Sequence, residues 1–239
     1  MNNKTITTLI WLTIFSIAMG FMESAIVIYL RELYYPEGFN FPLKIIGNKI
    51  AITEFLREIA TIIMLAGIGI LTGRKAIEKF AIFIYCFAIW DIFYYVFLKL
   101  ILNWPESLLT WDILFLVPVT WVGPVIAPVI NSFTMIILAF CIIYFIDKKG
   151  ITKLEKPVWA LLILGSAIIL ISYTMEYTTF MLNKFSVNGI FGVSQKSEII
   201  QYACTFVPHN FNWYIFGTGV LMQFVGIYVF YFRIKNADR

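Results

Sequence analysis

Six stretches of this 239-residue chain are each long and apolar enough to cross a bilayer as a helix. A hydrocarbon core of about 30 Å takes roughly 20 helical residues at 1.5 Å each. The stretches cover approximately residues 6–30, 50–72, 78–102, 122–146, 157–181 and 211–232. The expected fold is all-α: a polytopic transmembrane helical bundle of six spans. It forms a single integral membrane domain over residues 1–239, without an internal boundary or a convincing repeat. The first stretch comes after Met1–Lys4 and contains Ser16-Ile17-Ala18, which a signal peptidase could accept, but the apolar run continues to Leu30. A retained first helix is therefore expected.

Composition then removes whole classes of function. With 61% hydrophobic and only 13% charged residues, the chain cannot cover a water-exposed surface. That excludes a soluble enzyme, a nucleic-acid-binding module and a disordered tail. Cys86, Cys141 and Cys204 form no CxxC pair, and His209 is the sole histidine. One chain thus supplies neither a bis-His haem nor a three-His zinc site. No GxxxxGK[ST] or GxGxxG phosphate loop occurs. No cofactor is implied and no metal site is assigned.

The net charge of +4 is a topology signal. Eleven Lys and Arg residues flank the two termini, the 73–79 turn and the 147–156 loop, against six on the opposite loops and helix ends. By the positive-inside rule both termini are cytoplasmic, as an even number of spans requires. The expected location is a bacterial cytoplasmic (inner) membrane.

Residues 104–121 fit no span. Pro105 stands where a helix could start, and Pro118, Pro124 and Pro128 interrupt its continuation. About 14 helical residues would reach only some 21 Å, so a re-entrant or interfacial helix on the outer side is expected before span four. Trp104, Trp111 and Trp121 suit interface anchors. Ser197–Phe206 suits a short amphipathic helix.

The informative residues are the ionisable ones inside spans: Glu23, Glu54, Arg57, Glu58, Asp91 and Glu176. Each costs about 2.5–3.5 kcal/mol at a helix centre unless it meets a partner or water. All belong to the outer halves of their spans, and His209, Asn210 and Asn212 open span six from the same side. At 100° per residue Glu54, Arg57, Glu58 and Thr61 share a face of span two; Asp91 shares one with Tyr94 and Tyr95 on span three. Similar stripes place Glu23 with Ser16 and Gly20, Glu176 with Gly165 and Ser172, and Asn212 with Gly219, Gln223 and Gly226. Such stripes face a bundle interior. Their outer parts would converge on one polar pocket.

Within that pocket Glu54, Glu58, Asp91 and His209 are the candidate catalytic groups. Arg57, Glu23, Tyr94, Tyr95, Glu176 and Asn212 are the candidate ligand-binding ones. Glu54 and Arg57 are spaced for an i,i+3 pair, and Arg57 could instead neutralise Asp91. A purely structural ion-pair network is the competing account, but one arginine cannot neutralise five carboxylates. His209 with Glu54, Glu58 and Asp91 could ligate a metal, yet the Glu-x-x-His repeats of a di-iron bundle are missing.

The run from Trp90-Asp91 through Trp104-Pro105-Glu106-Ser107 and Trp111-Asp112 to Pro118 and Trp121-Val122-Gly123-Pro124 resembles a family of bacterial multi-pass membrane proteins. The resemblance covers about a third of the chain and implies no activity. Three functions remain open. The first is a membrane enzyme acting on a lipid or isoprenoid-type substrate, and the second a non-catalytic subunit held by membrane-protein partners. The third is a small proton-coupled carrier, which needs a second polar path to the cytoplasm. The bilayer itself is the one certain partner, and no nucleic acid is expected.

Overall fold

The computed structural model describes residues 1–117, 119–151, 153–186 and 196–236; Pro118 and Arg239 fall outside these. Among the described residues six helices are long and apolar enough to cross a membrane: α1 (Asn3–Tyr34), α2 (Asn48–Thr72), α3 (Ala76–Leu102), α4 (Ile126–Lys149), α5 (Lys156–Leu182) and α7 (Trp213–Asn236). A shorter helix, α6 (Lys196–Ala203), lies where the amphipathic segment was expected. At 32 residues α1 is about 48 Å long, more than a bilayer core, so it tilts or projects.

Among the described residues of 104–121 the expected re-entrant or interfacial helix does not form. Residues 104–121 instead lead into an antiparallel hairpin of β1 (Trp111–Phe115) and β2 (Trp121–Pro124). Trp111 pairs with Pro124, Asp112 with Gly123 and Ile113 with Val122, and a bulge intervenes before Phe115 meets Trp121. The physical reason is local. Trp, Ile, Phe and Val favour the extended backbone. Pro124, at the far end of β2, gives up no ladder bond that the hairpin needs. Val122, Gly123, Pro124 and Val125 are buried, so non-helical backbone is tolerated where protein encloses it. The fold is thus predominantly, not wholly, helical. The fourth span begins at Ile126 rather than residue 122, and Pro128 sits in its first turn, where no backbone donor is required.

Helix α3 is the hub: α1, α2 and α4 all pack against it, whereas α1 and α2 scarcely touch one another. Helices α5 and α7 form a second tight pair, joined to the rest through α4 and β2. Small residues set these approaches, since lipid offers no hydrophobic drive to assemble. A Cβ at Gly165 would stand 2.8 Å from the Gly219 carbonyl, and one at Gly219 would stand 2.7 Å from the Gly165 carbonyl. On α1, Ser16, Gly20 and Ser24 are buried, and Ser24 donates to the Tyr94 carbonyl at 3.0 Å. The small-residue stripes therefore do face neighbouring helices.

The two ends differ in chemistry. Lys4, Arg74, Lys75, Lys148, Lys149, Lys153, Lys156, Arg233 and Lys235 gather at one, here termed the basic end. There Lys75 donates to the Gly150 carbonyl, Lys149 to that of Ile234, and Arg233 pairs with Glu155. The hairpin, the 35–47 loop and α6 occupy the other, the hairpin end.

Candidate functional site

A cavity of about 310 Å³ opens at the hairpin end between α1, α2, α3, the hairpin and the 35–47 loop. Helices α1 and α2 each pack against α3 with few backbone contacts to one another, and residues of all three line the cavity. From Tyr34 down to Glu23 the cavity runs along three turns of α1, about 16 Å. Its floor and walls carry Glu23, Glu54, Arg57, Glu58, Asp91, Tyr94 and Tyr95. Those seven are brought together by three helices.

Arg57 is the organising cation. Its guanidinium donates to Glu54, one turn away, at 2.8 Å and to Glu23 on α1. Thr61 approaches Glu23 at 3.5 Å. This cluster links α1 to α2 at the cavity floor. Arg57 does not neutralise Asp91, whose carboxylate accepts from the Ser132 hydroxyl of α4 at 2.7 Å. Asp91 lies deep among the helices, yet part of its surface stays accessible because it faces the cavity. Glu58 is 7% exposed; its single hydrogen bond among the described residues comes from the Leu116 N–H of the hairpin at 2.8 Å. Neither Glu58 nor Asp91 has a cation within ion-pair distance among the described residues.

Two cavity-lining residues escaped the sequence reading. Arg31, 7% exposed, reaches from α1 to Asp112 of β1, 2% exposed, across 3.1 Å. The guanidinium lies 3.7 Å from the Trp104 ring centroid and 4.5 Å from that of Phe39, so two aromatic faces hold it. Burial pushes the Asp112 carboxyl up to about 6, with the Arg31 guanidinium pulling the other way. A sequence signal existed for Arg31. Glu23, Val27 and Arg31 are spaced i, i+4, i+8 and continue one face of α1.

Three expected members lie elsewhere. Glu176 of α5 does not line the cavity. One of its oxygens accepts from the N–H groups of His209 and Asn210, at 2.7 and 3.2 Å, fastening the loop before α7. His209 is exposed and contributes its backbone there, away from the acids of the cavity. Asn212 caps α7, its side-chain oxygen accepting from the Ile215 N–H at 3.1 Å. The four-residue ligand set Glu54, Glu58, Asp91 and His209 is therefore not assembled around one point. Glu176 and His209 belong to the α5–α7 pair, away from the cavity lining.

The upper walls are apolar and aromatic. Val27, Leu30, Phe39, Trp90, Ile113 and Phe115 line them, while Lys44 and Asn48 stand near the mouth. A second cavity, about 340 Å³, opens at the basic end, lined by Thr5, Thr8, Arg74, Lys75, Glu78 and Asp147 among others. Buried Leu12, Ser16, Leu65, Tyr85 and Cys86 form part of the packed layer between the two.

Set against known proteins, the chain stands by itself. No family model, curated protein or solved structure matches it. Any functional reading therefore rests on the cavity alone.

Proposed function

We propose that the chain is a membrane enzyme whose site is the hairpin-end cavity and whose substrate is a lipid or isoprenoid-type amphiphile. One observation carries this reading: among the described residues Glu58 and Asp91 line the same cavity from two helices without a cation in ion-pair distance, whereas Glu23, Glu54 and Asp112 are tied to arginines. Two carboxyls in an enclosed, weakly solvated space can divide the labour of acid and base, one holding a proton while the other accepts one. The apolar walls, with Val27, Leu30 and Ala51 on α1 and α2, suit an acyl or isoprenoid chain. Glu54 and Glu23 then hold Arg57 in place. By the positive-inside rule the hairpin end faces outward, in a bacterial cytoplasmic membrane with both termini inside.

The test is lipid conversion. The purified protein, in nanodiscs carrying a bacterial lipid extract, is followed by mass spectrometry. Glu58→Gln and Asp91→Asn should each slow conversion by about 100-fold or more, the usual range for a lost general acid or base. Conversion that survives both substitutions, or none by the wild type, sinks the enzyme reading.

The basic-end cavity supports a second reading, a carrier, because it supplies the polar space toward the opposite face that such a device needs. The layer containing Leu12 and Leu65 would then be the gate. Ion or lipid flux in proteoliposomes, abolished by Asp91→Asn, is the expected sign; wild-type vesicles no leakier than empty ones rule the carrier out.

A further inference from the structure

We infer that the ligand of the hairpin-end cavity carries a protonated amine on an apolar chain, an inference that rests on reading this cavity as the functional site. Five carboxyls line it, against Arg31, Arg57 and, at the mouth, Lys44. Both arginines are already engaged, Arg57 by Glu23 and Glu54 and Arg31 by Asp112. Arg31 Nη1 makes no hydrogen bond among the described residues, but it is buried, with the guanidinium held against the Trp104 and Phe39 rings. Carboxyls outnumber cations in the lining by five to three.

Glu58 supplies the second and independent observation. It is more than nine-tenths buried, lines the cavity, and makes just one hydrogen bond among the described residues, to a backbone N–H. A buried carboxylate so sparsely partnered is costly unless something enters to complete its shell. On α3, Asp91 lines the same cavity together with Trp90, Tyr94 and Tyr95. Carboxylates beside aromatic faces are the usual recognition chemistry of ammonium groups, through charge and through the ring quadrupole together. The protein already treats one of its own cations this way: Arg31 pairs with Asp112 and rests on Phe39 and Trp104.

The source of the amine is the bilayer. Backbone contacts between α1 and α2 are sparse, their link at the cavity floor is the Arg57–Glu23 pair, and above it Val27 and Leu30 of α1 and Ala51 of α2 line the cavity. An ammonium drawn to Glu58 and Asp91 can leave its chain among these side chains and continue into lipid. Glu58 stands ten residues into α2, about 15 Å along the helix from Asn48, so the headgroup would sit well below the membrane surface.

Calorimetric titration of the full chain in dodecyl maltoside micelles decides the matter, with empty micelles as the blank. The probes are dodecylamine, dodecanol, dodecyl phosphate and butylamine. Dodecylamine should bind at least tenfold more tightly than each of the other three. The Glu58→Gln/Asp91→Asn double variant, checked for an unchanged elution profile, should lose that preference to within about twofold. The wild-type series stands alone if the variant fails to fold. Dodecanol or dodecyl phosphate binding as tightly as dodecylamine overturns the inference, and butylamine doing so overturns its lipid source. Failure here is separable from failure of the enzyme reading. Conversion of lipids irrespective of headgroup charge refutes the amine and keeps the enzyme, whereas amine-selective binding without turnover does the reverse.

Discussion

Arg31 and Asp112 show how a buried charge is made tolerable, and how much is lost when half of the arrangement is removed. The pair is 3.1 Å long, with side chains 8% and 2% exposed. Arg31→Leu strands the carboxylate and should cost about 3–5 kcal/mol, read as a lower thermal midpoint in detergent. Replacing both partners with leucine should recover part of that loss. The penalty depends on pH with a definite sign. The Asp112 carboxyl already titrates at about 6 because burial raises it, and without Arg31 it rises further. A raised carboxyl contributes stability at low pH that is lost as pH climbs through its folded value. The gap between wild type and Arg31→Leu should therefore widen above pH ~6, and midpoints taken at pH 5 and pH 8 check it; an equal gap at both contradicts it. The sequence showed Arg31 on the face of Glu23, but its partner lies 81 residues away in a strand. Helical spacing reaches only neighbours one or two turns apart. By that same rule the grouping of Glu54, Arg57 and Glu58 on one face was plain from the sequence alone.

Among the elements, the helices were legible and the hairpin was not. Twenty-odd apolar residues in a row have one solution in lipid, whereas the seven residues from Trp111 to Val117 suit a short helix or a strand equally well. Pairing with Trp121–Pro124 decides between them, and pairing is a tertiary event. Glu176 teaches a related lesson: its depth along α5 was readable, but not which neighbours its side would meet. The α5–α7 contact offers a sharp test. Gly219→Val puts a side chain 2.7 Å from both the Gly165 carbonyl and Ile169, and should destabilise by about 1–3 kcal/mol through forced separation of the helices. Gly217, two residues earlier, has nothing within 4 Å of its would-be Cβ. Gly217→Ala should be neutral or slightly stabilising, and similar losses at both sites in thermal melts would refute close packing as the cause.

At the scale of the whole molecule, charge separates the two ends, and orientation is the property it predicts. Lys44→Cys, beside the cavity mouth, should react with a membrane-impermeant maleimide in intact cells. Lys153→Cys should react only after permeabilisation, each in a background where Cys86, Cys141 and Cys204 are serine. The reverse pattern would invert the topology and move the cavity to the cytoplasmic side. The hairpin adds something that no orientation experiment reads. It meets Glu58 through the backbone N–H of Leu116 and not through a side chain. The side chain at position 116 can therefore be exchanged without disturbing the acid beneath it. A lineage could reshape the cavity ceiling, and with it the range of molecules admitted, while the carboxylate stays anchored by an amide that any residue except proline provides.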